Sequence, residues 1–109
     1  MEAEAFYRRA MKSTNSDAYA GAALALGTLL GRQGRTEEAL VAFRQTVASG
    51  HQHAEPAAAL SLAILLHERG QLDEARAAYR QALKSRPSPE AVEIAAEGLK
   101  RLERGEPLT

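Results

Sequence analysis

Residues 22–49 read AALALGTLLGRQGRTEEALVAFRQTVAS, and residues 58–85 read AALSLAILLHERGQLDEARAAYRQALKS. At a spacing of 36 residues, Ala22, Ala23, Leu24, Leu26, Leu29 and Leu30 fall on Ala58, Ala59, Leu60, Leu62, Leu65 and Leu66. The match continues through Gly34 and Gly70, Ala39 and Ala75, Phe43 and Tyr79, Arg44 and Arg80, Gln45 and Gln81, and Ser49 and Ser85. The chain opens on a third copy of the later half, with Ala3, Tyr7, Arg8 and Ser13 on Ala39, Phe43, Arg44 and Ser49. A fixed period of this length marks a repeat architecture, because one small unit cannot bury its own apolar face and stacking covers it.

Start and stop signals divide each repeat into two helices. The first is predicted from about Asp17, after Thr14-Asn15-Ser16, to Arg32, stopping at Gly34. Its partner starts at Thr36, where Glu37 and Glu38 suit the positive end of the helix dipole, and ends near Ser49-Gly50. The next repeat has Pro56 in a first turn, Gly70 as a stop, Asp73 and Glu74 opening the second helix, and Pro87 beyond its end. Ser88-Pro89-Glu90 launches a last helix to about Arg104. The expectation is an all-α, right-handed solenoid of six antiparallel helices in one domain over 1–109. It comprises 1–14 as the second helix of a partial repeat, 17–50 and 55–86 as whole repeats, and 88–105 as a C-terminal capping helix.

Composition agrees with that reading. The chain has 109 residues, with 23 Ala and 14 Leu against three Val and two Ile, an inventory of helix formers in which small side chains allow close helix contacts. The inner helices, 22–30 and 57–66, are apolar nearly all round. The outer two are one-sided: Ala3, Phe6, Tyr7, Ala10 and Met11 oppose Glu4, Arg8, Arg9 and Lys12, while Val92, Ala95, Leu99 and Leu102 oppose Glu90, Glu93, Glu97 and Arg101. Formal charge is zero, with 14 basic and 14 acidic residues, which argues against nucleic acid or an acidic membrane as partner. No run is long enough to span a membrane, and Met-Glu-Ala-Glu-Ala is no signal peptide, so a cytoplasmic location is expected. Eleven Arg against three Lys in an Ala-rich chain point to a GC-rich bacterial genome.

The residues resemble the tetratricopeptide repeat. One copy supplies Leu26-Gly27, Leu30, Gly34, Ala39 and Phe43, departing at Thr46, where Ala is usual, and at His51, where Pro is usual. The next supplies Leu62-Ala63, Leu66, Gly70, Ala75, Tyr79, Ala82 and Pro87. The 36-residue period exceeds the family's common 34, the extra length being assigned to the connection His51-Gln52-His53-Ala54-Glu55. The chain is also similar to the Sel1-like repeat in its period, but its short turns lack that family's longer insert.

The resemblance implies a non-catalytic protein-interaction module whose first helices line a concave groove. Carried over residue by residue, the groove positions are Leu24, Thr28 and Arg32, then Leu60, Ile64, His67 and Glu68, and Lys100 on the last helix. Versions that clamp a terminal carboxylate carry cationic and amide donors where this chain has Leu24, Thr28, Leu60 and Ile64. The groove is therefore expected to be apolar, with Arg32 and Glu68 at its rim, and to take a peptide or partner helix.

Chemistry of other kinds is sparse. His51 and His53 are two apart in a connection and His67 lies on a neighbouring helix, but no third ligand is fixed beside the pair, so no metal is expected. No cysteine, nucleophile turn or phosphate loop is present, and no cofactor or enzymatic activity is expected. Arg8 and Arg76 lie one turn from Glu4 and Asp73, which reads as salt-bridged solvent faces. The chain is expected to be a monomer or weak homodimer; the alternative function is structural, as a self-assembly unit in which the end of one molecule completes the beginning of another, or as part of a longer solenoid.

Overall fold

The computed structural model describes residues 2–85 and 87–106. Among them are six helices and no strand: α1 Glu2–Ala10, α2 Ser16–Arg32, α3 Thr36–Ala48, α4 Ala54–Glu68, α5 Leu72–Lys84 and α6 Pro89–Glu103. The protein is all-α, as its inventory of helix formers required. It divides into two compact units, Met1–Glu55 and Pro56–Thr109. The first holds α1, α2 and α3; the second holds α4 from its first turn onward, with α5 and α6.

Local chemistry sets the helix ends. Asn15 caps α2 by accepting the Ala18 N–H at 2.9 Å, and Ser88 caps α6 by accepting that of Ala91 at 3.3 Å, with Pro89 in the first turn. The helices α2, α4 and α6 all end in one turn type. In each a glycine takes a left-handed φ, 75° at Gly34, 77° at Gly70 and 71° at Gly105. The following N–H then reaches back to a carbonyl five residues earlier: Arg35 to Leu30, Gln71 to Leu66 and Glu106 to Arg101. A side chain at those glycines would be strained, which is why the turn signal is so legible.

The core of each unit is made of Ala and Leu side chains around one aromatic. In the first, Ala20, Ala23, Leu26, Leu30, Ala39, Leu40 and Phe43 are buried; in the second, Ala58, Ala59, Ala63, Leu66, Ala75, Tyr79 and Ala95 are. Small residues let the aromatics in. A methyl on Gly27 would lie 2.6 Å from Phe43, so α3 approaches α2 through the missing side chain. Thr46, buried where the family favours Ala, donates its hydroxyl to the Ala42 carbonyl at 2.9 Å and leaves no polar group unpaired.

Three expectations need correction. The first concerns α1, where Phe6 is 60% exposed instead of sharing a covered stripe, while Glu4 turns inward to Arg35 at the start of α3. Charge pairing outweighs the apolar pattern because this short helix has no fully buried residue. The second is the connection before α4, shorter than expected because Ala54 and Glu55 are already helical. The third is register: Gly34 and Gly70 are 36 apart, but Gly70 and Gly105 are 35 apart. The position on α6 that matches Thr28 and Ile64 is therefore Leu99, not Lys100.

Candidate functional site

In the first unit α1 crosses α2 at an apolar cavity of about 380 Å³, lined by Ala3, Tyr7, Gly21, Leu24, Ala25, Thr28, Leu29 and Arg32. Three of the groove residues expected from sequence, Leu24, Thr28 and Arg32, come together here at the i, i+4, i+8 spacing of one helix face. Thr28 donates its hydroxyl to the Leu24 carbonyl at 3.0 Å, so its proton is committed to the α2 backbone. Arg32, in the last helical turn, is exposed and makes no ion pair among the described residues. The cavity is thus an apolar floor with one available cation at its end. Tyr7 was missed as a lining residue, although its register with Phe43 and Tyr79 marked it as an inter-helix aromatic.

Charge fixes the other edge of α1. Arg35, the last residue before α3, grips Glu4 through both terminal nitrogens, Nη1 at 2.6 Å from Oε1 and Nη2 at 3.2 Å from Oε2. Its Nε and Nη2 also donate to Glu38 at 3.0 and 2.6 Å, and Arg8 Nε adds a 3.0 Å bond to Glu4. The Arg35 guanidinium first, and Arg8 second, hold the Glu4 carboxyl down at about 2, well below its ordinary 4.5. Arg35 likewise lowers Glu38, and the two carboxylates raise Arg35 in return. The i, i+4 pair Glu4–Arg8 was expected; Arg35 was not, because its partner lies 31 residues away.

In the second unit the candidate residues separate. Ile64 lines a cavity of about 360 Å³ with Tyr79, Glu93, Ile94, Glu97, Gly98 and Arg101. Leu60 is half-buried on α4 and does not line it, while Glu68 and Lys100 are exposed outside it. His67 is not a groove side chain at all: it is 2% exposed. Its Nε2–H donates to the Glu106 carbonyl at 3.1 Å, and its Nδ1 accepts from the Tyr79 hydroxyl at 3.1 Å. It fastens the segment after α6 to the α4–α5 hairpin. Burial pushes the Tyr79 phenol up, with Glu68 adding to the effect and Arg101 opposing it.

His51 is structural too. His51 Nδ1 accepts from the backbone N–H of Ala54 at 3.2 Å and of His53 at 3.3 Å, capping α4, while Nε2 lies 2.6 Å from Asp17 Oδ1. Among the described residues no group of three His or carboxylate side chains is placed to hold a metal ion. No helix there is long and apolar enough to cross a membrane.

The chain pairs its helices through glycine turns, sets the aromatics Phe43 and Tyr79 of its second helices among small residues, and presents an apolar face on its first helices. The sequence profile of the tetratricopeptide repeat matches residues 24–92. The chain belongs to the tetratricopeptide repeat family. No curated protein and no solved structure matches it significantly. Tetratricopeptide repeats are generally protein–protein interaction modules, and the family is generally non-catalytic. The match runs from the middle of α2 to the start of α6, so the profile covers Leu24, Thr28 and Arg32 as well as Ile64.

Proposed function

We propose that this tetratricopeptide repeat protein is a non-catalytic adaptor whose α1–α2 cavity takes an apolar side chain of a partner peptide. The observation that carries the reading is the convergence of Leu24, Thr28 and Arg32 on one apolar cavity of about 380 Å³. Burying an apolar side chain against Leu24, Ala25 and Leu29 supplies affinity, and Arg32 selects a peptide with a carboxylate beside that side chain. Leu60 and Ile64 on α4 offer a second apolar surface in the next repeat. A small site of this kind fits micromolar binding, about 8 kcal/mol.

The experiment is selection of displayed peptides on the whole chain, followed by calorimetry of the enriched sequences. Enriched peptides should pair an apolar residue with a neighbouring acid. Leu24→Glu should abolish their binding while circular dichroism stays helical, and Arg32→Glu should weaken it about tenfold. Peptides that bind a folded Leu24→Glu protein as tightly as wild type would show that the site lies elsewhere.

A further inference from the structure

Two exposed apolar faces on this chain have complementary charge. On α6, Ile94 is 49% exposed beside half-buried Ile64, and the cavity there is a hollow between Ile94, Glu97, Gly98 and Arg101, at i, i+3, i+4 and i+7. Four residues at that spacing are the hole into which a side chain of a packed helix inserts as a knob. The Tyr79 ring occupies the place of a Gly98 side chain and floors the hollow. Glu93, one residue before Ile94, lines the same hollow, and neither it nor Glu97 forms an ion pair among the described residues. On α1, Phe6 is the most exposed large apolar side chain described, and Glu2 and Arg9 share its stripe at i−4 and i+3. Arg9 is exposed and has no ion-pair partner among the described residues.

We infer that the outer face of α1 in one copy docks on the α6 face of a second copy, antiparallel, with Phe6 seated between Ile94, Glu97, Gly98 and Arg101. In that direction Arg9 meets Glu93. Antiparallel pairing is also how α2 and α3 meet through the tight Gly34 turn. A parallel orientation would set Glu2 against Glu93, so the charges choose the direction. The contact joins two different surfaces and propagates head to tail unless it closes into a ring. Leu24 and Arg32 take no part in it, so it stands or falls independently of peptide binding.

Sedimentation velocity of the whole chain over a range of concentrations tests this, with circular dichroism confirming that each variant is folded. Wild type should associate with rising concentration, less so at high salt. Arg9→Glu and Glu93→Arg, both at exposed positions, should each weaken association about tenfold. Mixed in equal amounts, the two variants should associate again, because every contact between unlike chains restores an opposite pair while contacts between like chains repel. Phe6→Ala should weaken association without a charge change. A wild type that stays monomeric at its highest soluble concentration would overturn the proposal and leave the α6 face to a basic partner helix of another protein. Association indifferent to both charge reversals, or not regained on mixing, would overturn it equally.

Discussion

The ring of Tyr79 lies over the bare Cα of Gly98, so close that a methyl group there would sit 2.5 Å from Cε1 and 2.7 Å from the hydroxyl. Ordinarily Gly→Ala inside a helix stabilises by about 1 kcal/mol. Here the added carbon overlaps a buried ring that is itself hydrogen-bonded to His67, so the sign should reverse. Gly98→Ala and Gly27→Ala should each destabilise by about 1–3 kcal/mol in urea denaturation. Gly21→Ala, where nothing lies within 4 Å of the new carbon, should stabilise by about 0.5–1 kcal/mol. Three substitutions of the same chemistry thus separate close helix approach from propensity.

His67 links α4, α5 and the segment after α6 through one imidazole. Replacing it with Phe keeps a ring but leaves the Tyr79 hydroxyl and the Glu106 carbonyl without that partner, and a loss of about 1–3 kcal/mol is expected. Tyr79→Phe removes only the hydroxyl and should cost about 1 kcal/mol. Because burial raises the Tyr79 phenol above its ordinary 10.0, the folded state keeps it protonated. That contribution is full below pH 10.0 and is lost as pH rises through the higher folded value. Alkaline difference absorbance should therefore show a late tyrosine step in wild type that Tyr79→Phe abolishes.

Glu4 has the opposite sign. Its folded carboxyl is held at about 2 against an ordinary 4.5, so its contribution is present above 4.5 and disappears as pH falls through about 2. Glu38, lowered by the same Arg35, acts in the same direction. Between pH 5 and pH 2, wild type should lose more of its thermal midpoint than Glu4→Gln, whose amide does not titrate. Chemical shifts of Tyr7, on the same short helix, should follow that loss. An identical pH response in the two proteins would show that the Arg35 grip contributes nothing to the docking of α1.

Legibility in the sequence followed the range of each interaction. The turns at Gly34 and Gly70 and the Ser88-Pro89 start of α6 were readable because conformational demands local to a few residues select those residue types. Repeat register located Leu24, Thr28 and Arg32, because residues spaced by four on one helix share a face wherever the helix packs. On α6 the turn glycine Gly105 follows Gly70 by 35 residues, one fewer than Gly70 follows Gly34, so repeat register there points to Leu99 beside Lys100. The grip of Arg35 on Glu4 had no local signal, since it joins residues 31 apart that neither periodicity nor capping connects. His67 looked like surface because its partner at Nε2 is a main-chain carbonyl, which no side-chain pattern reveals.

His51 stands where the family usually has Pro, and its ring does what a capping side chain does. With Nδ1 accepting from Ala54 and His53, the ring proton must sit on Nε2, from which it is donated to Asp17 Oδ1 at 2.6 Å. Nitrogen shifts in an NMR spectrum should accordingly show His51 as the tautomer protonated at Nε2. His51→Ala removes both the cap and the bond to Asp17 and should lower stability by about 1 kcal/mol. His51→Asn should recover most of that loss, because its amide oxygen can accept the same backbone N–H groups while the reach to Asp17 is gone. Asp17→Ala should cost less than His51→Ala, since it leaves the cap in place. A ring found protonated at Nδ1 would remove the acceptor on which the cap depends, and with it the reason for expecting Asn to rescue and Ala to fail.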